Sequence, residues 1–289
     1  MSLNAVVLVP VPDFHEQWGW AFDIEAETLR QAGLTVDPRV WTDIGDLAEI
    51  DLVLPLVAWG YHLDATRWHA LLDRLEGERA TTLNPVPLLR WNSDKSYLAE
   101  LAAAGIATVP TRSVAAFDEA ALAYARAAFG PQLVVKPLVS AGGDGIHRIG
   151  PGDPIPDDAR GQPMLVQPFL DAVLDEGEYS LLLFGGEFSH AVVKRPKVGD
   201  YRVQLHHGGS DQPCDAPPGA IVLARAALAA APAASAYARV DLIRRNDGTL
   251  TVIEMELIEP ALWLEHAPDK GASFARAIFA AAEAGAPRK

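Results

Sequence analysis

Three acidic side chains and one basic one near the C-terminal end could do the most specific chemistry in this sequence. Tyr237-Ala-Arg-Val-Asp-Leu-Ile243 and Thr249-Leu-Thr-Val-Ile-Glu-Met-Glu-Leu-Ile258 alternate polar and apolar residues on either side of Arg244-Arg-Asn-Asp-Gly248. A period of two marks strands, and Asp247-Gly248 predicts a two-residue hairpin turn of type I′. With that turn Asp241 opposes Glu254 and Arg239 opposes Glu256, all four on one face. Like charges opposed across a strand pair repel, so a cation is expected between the carboxylates. An all-oxygen ligand set suits magnesium or manganese. The solvated face of an ordinary hairpin alternates in the same way, and a three-residue loop would slip the register, leaving only Glu254 and Glu256 on a shared face.

A second group of residues is suited to phosphate. Lys136 lies in Leu133-Val-Val-Lys-Pro137, and an ammonium inside a buried strand is costly without an anion beside it. Ser140-Ala-Gly-Gly-Asp-Gly145 follows, and Gly142, Gly143 and Gly145 would let backbone N–H groups approach a phosphate closely. The loop does not match G-x-x-x-x-G-K-[ST], and an ordinary hairpin loop behind an edge-strand lysine is the plain alternative. Lys95 falls in the first turn of a helix predicted to start at Ser93 or Asp94, where a cation opposes the helix dipole unless an anion is bound. Lys194, Lys197 and Arg202 form the densest cationic cluster, suited to an anion or to a solvated turn. Glu178 opens a strand, and Gln167-Pro-Phe-Leu170, including Phe169, ends another whose edge could face a flat ligand. His206-His207 has no zinc spacing, and neither Ser140 nor Ser189 sits in a G-x-S-x-G elbow.

The elements that must position these residues are short apolar strands at Ala5–Val9, Asp51–Val57, Leu133–Val135, Met164–Leu170, Ser180–Phe184, Tyr237–Ile243 and Thr249–Ile258, with helices between several of them. Helices over Trp18–Ala32 and Asp94–Ala104 are closed by Gly33 and Gly105. The class is α/β and α+β, turning mostly antiparallel from about Leu165, with hairpin signals at Gly185-Gly186 and Asp247-Gly248. Turn residues cluster near Asn84-Pro-Val-Pro87 and Gly150-Pro-Gly-Asp-Pro154. The first strand runs into Pro10 instead of a G-x-G-x-x-G turn, which argues against a dinucleotide site.

The chain has 289 residues with a net charge of −14, so nucleic acid is not an expected partner. Ala220–Ala238 carries Arg225 and Pro232 and reads as a helix followed by a strand, so no membrane partner is expected. Met1-Ser2-Leu3-Asn4 lacks a basic leader region. With Cys214 the only cysteine, the cytoplasm is the expected compartment. A homodimer is expected only as the commonest oligomer.

Taken in order, Lys95, Lys136 with its glycine loop, Gln167 to Leu170, Glu178, Arg202 in Gly199-Asp-Tyr-Arg-Val-Gln204, Arg239, Asp241, Glu254 and Glu256 resemble the ATP-grasp superfamily over roughly residues 92–260. The pattern is most similar to the branch holding bacterial glutathione synthetase, the RimK-type ligases and the O-ureido-serine cyclo-ligase. The resemblance implies an ATP-grasp fold with an N-terminal open α/β domain over residues 1–90 and an ATP-grasp domain over 91–289. The latter would hold a small lid at about 111–166 and a mostly antiparallel ATP-binding part. It also implies that Lys95 and Lys136 hold phosphates of ATP under the Ser140–Gly145 loop, that Gln167 and the backbone through Phe169 and Leu170 read adenine, and that Glu178 reads ribose. Asp241, Glu254 and Glu256 would hold two Mg²⁺, or Mn²⁺, while Arg202 and Arg239 face the transferring phosphoryl group and the developing oxyanion; Lys194 is a further catalytic candidate from the cationic cluster. Two features depart from the family pattern: the last metal pair is Glu254-Met255-Glu256 where Glu-x-Asn is usual, and the hinge begins with Gln167 where an acid is common.

The activity so implied is an ATP-dependent ligase that activates a small-molecule carboxylate as an acyl phosphate for attack by an amine. A small-molecule kinase and a nucleotide-binding regulatory module without turnover are the alternatives. Arg239→Ala or Asp241→Asn should then abolish turnover and leave the fold intact. Trp59-Gly-Tyr-His62, Trp68 and the Phe14–Trp20 segment either line an acceptor pocket or fill a core.

Overall fold

The computed structural model describes residues 3–285; Met1 and Ser2, on which part of the leader reading falls, lie outside the described residues. The first sheet is parallel, with order β2-β1-β3-β4. Its strands are β1 (Asn4–Val9), β2 (Thr35–Val40), β3 (Leu52–Leu54) and β4 (Thr81–Thr82). Residues 5–9 are all buried, as expected for a strand covered on both faces. Around the sheet lie α1 (Gly19–Gln31), α2 (Ala65–Glu76) and α3 (Val86–Asn92). Asp64 caps α2 by accepting from the Arg67 N–H at 3.0 Å. β2 was not visible as a strand in the sequence because Pro38 interrupts it, and its place at the sheet edge is where a residue without an N–H is tolerated.

After α4 (Tyr97–Ala103) comes an antiparallel sheet of order β5-β8-β6-β7. It consists of β5 (Arg112–Val114), β6 (Leu133–Pro137), β7 (His147–Ile149) and β8 (Met164–Pro168), with α5 (Glu119–Phe129) packed on it. The remaining elements are α6 (Ala172–Asp175), β9 (Glu178–Phe184), β10 (Glu187–Arg195), β11 (Ser210–Cys214), α7 (Ala220–Ala229), β12 (Tyr237–Arg244), β13 (Leu250–Glu256) and α8 (Ala272–Gly285). Their five strands form an antiparallel sheet of order β11-β10-β9-β12-β13. Its edge strand β11 also carries a proline, Pro213. These sheets give the α/β part and the mostly antiparallel part that the sequence predicted. Among the described residues no helix is long and apolar enough to cross a membrane.

The two predicted hairpins differ. Gly185 and Gly186, at φ +58° and +82°, close β9 onto β10 as a two-residue loop with Phe184 opposite Glu187. Asp247-Gly248 does not. Arg245 N–H donates to the Thr249 carbonyl at 2.8 Å, so Asn246, Asp247 and Gly248 form a three-residue loop, with Gly248 at φ +84° where a side chain would be strained. The slip this causes is undone by a bulge: Ile243 pairs with Thr251 and Leu242 with Val252, but Asp241 pairs with Glu254 and Arg239 with Glu256. Turn and bulge cancel, and the expected oppositions survive by a route the sequence did not show.

The core crosses from one sheet to the next. Val7, Leu54 and Leu29 of the N-terminal part share one buried cluster with Leu182, Tyr237 and Phe274 of β9, β12 and α8. Within this region Glu25 of α1 is 2% exposed, and its Oε2 has no hydrogen-bond partner. Burial first, and the charge of Glu265 second, push its carboxyl well above the ordinary 4.5. Above that ordinary value the unfolded chain loses a proton that the folded one keeps, so this group makes stability fall as pH rises. Glu25→Gln is therefore expected to match wild type near about pH 5 and to melt a few degrees higher near about pH 8. A difference in melting temperature that does not change with pH would contradict the assignment.

Candidate active site

One face of the five-stranded sheet carries a charged row because residues two apart on a strand share a face and the register aligns the strands. Lys194 of β10 opposes Glu178 of β9, Ser180 of β9 opposes Asp241 of β12, and Asp241 opposes Glu254 of β13, with Arg239 opposite Glu256 one step along. These side chains border a cavity of about 610 Å³ that also receives residues from the other two sheets.

Cations are present between the opposed carboxylates, and they are the protein's own. Lys194 Nζ donates to Asp241 Oδ2 at 2.9 Å and pairs with Glu178, and Ser180 Oγ donates to Asp241 Oδ1 at 2.6 Å. Arg239 donates to both Asp241 oxygens, at 3.0 Å through Nε and 3.1 Å through Nη2, and pairs with Glu256. Lys95 Nζ lies 2.8 Å from Glu254 Oε1. Repulsion between the acids therefore does not by itself demand a metal, which corrects the sequence argument. Burial disfavours charge throughout, but Arg239 and Lys194 outweigh it and hold the Asp241 carboxyl far below its usual range. Lys95 and Lys136 likewise hold Glu254 down. For Glu256 burial wins over Arg239, and its carboxyl is pushed up to about 8. Burial also raises Glu178, in spite of Lys194.

Lys95 is not in a helix first turn. α3 ends at Asn92 and α4 begins at Tyr97, and Lys95 sits in the link, its N–H donating to the Leu138 carbonyl at 2.8 Å. Two buried side chains fix that link to β13. Asn92 donates to the Met255 carbonyl and accepts from the Leu257 N–H, both at 2.8 Å, and the Tyr97 hydroxyl accepts from the Met255 N–H at 2.7 Å. These clamps gave no signal in the sequence beyond two polar groups in an apolar setting.

Lys136 presents the opposite case. It is 3% exposed and lines the cavity, and its ammonium takes part in no hydrogen bond or ion pair of the described residues. Burial drives its pKa down, against the pull of Glu254. A buried ammonium without a partner is expensive unless an anion arrives.

The glycine loop passes beside it. Gly142, Gly143 and Gly145 all have φ between +63° and +85°, and a Cβ on Gly145 would come within 2.9 Å of Pro137. The Ser140 carbonyl accepts from Lys95 Nζ, and Asp144 Oδ2 lies 3.2 Å from His62 Nε2. Glu16 pairs with His206 at 3.2 Å, next to Gly142. The predicted hinge is only partly open to a ligand: the Gln167 amide donates to Thr111 Oγ1 at 2.8 Å, the Phe169 N–H donates to the Gln132 carbonyl at 2.9 Å, and Arg148 lies 3.8 Å over the Phe169 ring. Gln167, Phe169 and Leu170 nonetheless line the cavity. Arg202 lines it too, paired with Asp200 at 2.9 Å. Of the N-terminal aromatics, Trp68 and Tyr61 are core, whereas Phe14, Trp20, Trp59 and His62 face the cavity.

The donor set can be weighed against nucleotide and metal. Asp241 is saturated by Arg239, Lys194 and Ser180, and among the described residues no three His, Cys, Asp or Glu side chains are assembled around one point. Glu254 and Glu256 each commit Oε1 to a cation, and neither Oε2 appears in a hydrogen bond of the described residues. Mg²⁺ keeps several waters and takes one or two carboxylates plus substrate phosphates, so an open pair fits it better than a closed cage would. Two lysines and a glycine loop on the other wall fit the phosphates.

Comparison with known proteins agrees with this geometry. Residues 13–84 match the family described as D-cycloserine synthetase DcsG, N-terminal domain, and residues 100–225 match the prokaryotic glutathione synthetase ATP-grasp domain. The cycloserine biosynthesis protein DcsG of Streptomyces lavendulae is 31% identical over 271 residues, covering 87% of this chain and 90% of that protein. The crystal structure of D-cycloserine synthetase DcsG superimposes with a TM-score of 0.84 at 28% identity, over 97% of this chain and 100% of the other. A D-alanine–D-alanine ligase structure from Bacillus anthracis shares the fold, with a TM-score of 0.72 at 16% identity over 98% of each chain. Fold and site define an ATP-grasp enzyme, an ATP-dependent ligase that joins a carboxylate to an amine. Within that class the chain belongs to the D-cycloserine synthetase DcsG family.

Proposed function

We propose that a small-molecule carboxylate attacks the γ-phosphorus of ATP in this cavity, giving an acyl phosphate and ADP, and that an amine then attacks the acyl carbon, expelling phosphate and losing a proton to form an amide. The observation that carries this reading is Lys136, a buried ammonium facing the cavity with no anion of the described residues within ion-pair distance. In this reading Lys136 and Lys95 receive nucleotide phosphates and the Ser140–Gly145 loop covers them. Gln167 to Leu170 border the adenine, and Glu178, steadied by Lys194, faces the ribose. Arg239, held by Asp241, faces the transferring phosphoryl group with Arg202 at the cavity rim. Glu254 and Glu256 would hold Mg²⁺, two ions with Asp241 behind them, or Mn²⁺ in their place; the metal neutralises charge building on the phosphates. Fixed lysine and arginine donors act there without reorganising, which lowers the barrier by positioning and electrostatics.

Because a relative is named for D-cycloserine, amino-acid-derived acids are the first substrates to try. The test is Mg-ATP-dependent phosphate release against pooled amino acids, hydroxy acids, ureido acids and peptide acids. One pool is expected to stimulate release. Tight ATP binding with no release in any pool would overturn the reading in favour of a regulatory module.

A further inference from the structure

Behind the wall of the cavity lies a buried acid that the ligase chemistry does not use. Glu25 of α1 fronts a small void lined by Trp20, Ile24, Leu262 and Trp263, too small to admit a water molecule. Its carboxyl takes part in no hydrogen bond or ion pair of the described residues. No cation reaches it from the elements packed around it. Arg30 of α1 turns to the Val36 carbonyl at 3.0 Å, Arg39 of β2 pairs with Asp37, Arg276 of α8 pairs with Asp269, and Lys270 is exposed. Strand β1 has no ionisable side chain, and Asp23, Glu27 and Glu283 are exposed. His190 of β10 is held at the Leu262 carbonyl at 3.0 Å, and the Tyr237 hydroxyl donates to the Ile258 carbonyl at 2.9 Å. In the 3₁₀ turn Leu264–His266, Glu265 adds repulsion and His266 enters none of the ion pairs of the described residues.

A carboxyl so placed stays neutral, because ionising it would strand a charge in apolar packing without water or counterion. To ionise, the seam between α1 and the 3₁₀ turn must part and let water in. Each pH unit then favours the parted state by about tenfold, as long as the carboxyl is protonated when the seam is shut and ionised when it is open.

Trp263 stands on that seam and lines both the void and the cavity. The Arg239 guanidinium lies 5.3 Å from the centre of its ring, and its indole N–H donates to Asp211 at 3.2 Å. Its φ of +43° is sparsely populated for a bulky residue and persists only where packing enforces it. Parting the seam removes that packing.

We infer that Glu25 is a positioning residue: in its protonated form it keeps the seam shut, and the shut seam holds Trp263 against Arg239 at the cavity. The effect on turnover rests on the ligase reading, whereas the movement of Trp263 does not.

Two readouts from about pH 6 to about pH 9.5 test this. The first is acrylamide quenching of tryptophan fluorescence, taken as the difference between each protein and the same protein carrying Trp263→Phe. In wild type the Trp263 share should become more quenchable as pH rises. In Glu25→Gln, which keeps the shape of the neutral acid, and in the apolar Glu25→Leu, it should stay shielded throughout. The second is kcat/KM for a stimulating acid with Mg-ATP saturating. Wild type should bend downward toward a tenfold loss per pH unit, so the ratio of either Glu25 variant to wild type should grow with pH. With Trp263→Phe also present that ratio should be flat, since the ring through which Glu25 acts is gone. Equal quenching in wild type and both variants, a ratio that does not grow, or one that still grows with Trp263→Phe present, would overturn the inference. No phosphate release from any acid would instead overturn the ligase reading, and the quenching alone would then decide the role of Glu25.

Discussion

Lys136→Met should abolish phosphate release and, in the same protein, raise the melting temperature without nucleotide. The side chain is buried on β6 with no anion in contact, so the free protein bears the cost of desolvating an ammonium that only a ligand can offset. Methionine fills a similar volume without the charge, and a rise of a few degrees is expected. Turnover should drop by about 10³-fold or more, since the fixed cation proposed to hold the nucleotide phosphates is lost. The stabilisation given by Mg-ATP, about 2.7 kcal/mol at a hundred times Kd for a one-site ligand, should shrink with it. A pH signature accompanies this. The folded pKa lies below the ordinary lysine value, so between the two the unfolded state binds more protons and wild-type stability rises with pH; the variant should lose that slope. Thermal melts across pH, with and without Mg-ATP, check all of this. A variant that melts lower than wild type and keeps its nucleotide shift would show that Lys136 is a structural cation.

Arg239 gives the second large effect, and there stability and activity move together. Its guanidinium is shared by Asp241 and Glu256; Arg239 and Asp241 are buried and Glu256 is a quarter exposed. Arg239→Ala takes this shared guanidinium from Glu256 and leaves Asp241 with Lys194 and Ser180 alone, a loss of about 3 kcal/mol in folding free energy, together with at least about 10³-fold in turnover. The sequence suggested that the fold would be indifferent to this change, and the geometry reverses that expectation. Arg239→Lys separates the two roles. It keeps a charge between the acids, so denaturant midpoints should stay near wild type, while the planar fork is gone and turnover should remain down by about 10²-fold. Equal turnover in the lysine variant and wild type would remove Arg239 from the phosphoryl site.

The charged row was legible because strand alternation and pairing are local rules, and Asp241, Glu254 and Arg239 obey them. The turn was misread, since Asn246-Asp247-Gly248 supports a two- or a three-residue loop equally well, and the compensating bulge at Ile253 has no composition of its own. β2 and β11 escaped notice for one reason, a proline that only an edge position allows. The place of Lys95 depended on the break between α3 and α4, which Asn92 and Tyr97 fix through backbone groups of β13 more than 150 residues away. Such long-range clamps, like the Lys194 bridge between Glu178 and Asp241, exist only in the folded arrangement.

The central claim is that the cavity makes an acyl phosphate. Hydroxylamine trapping tests it most directly: with Mg-ATP and a stimulating acid, the enzyme should yield the acid's hydroxamate in step with ADP. ADP formed together with a phosphorylated hydroxyl group, and no hydroxamate, would contradict the account and make the enzyme a kinase.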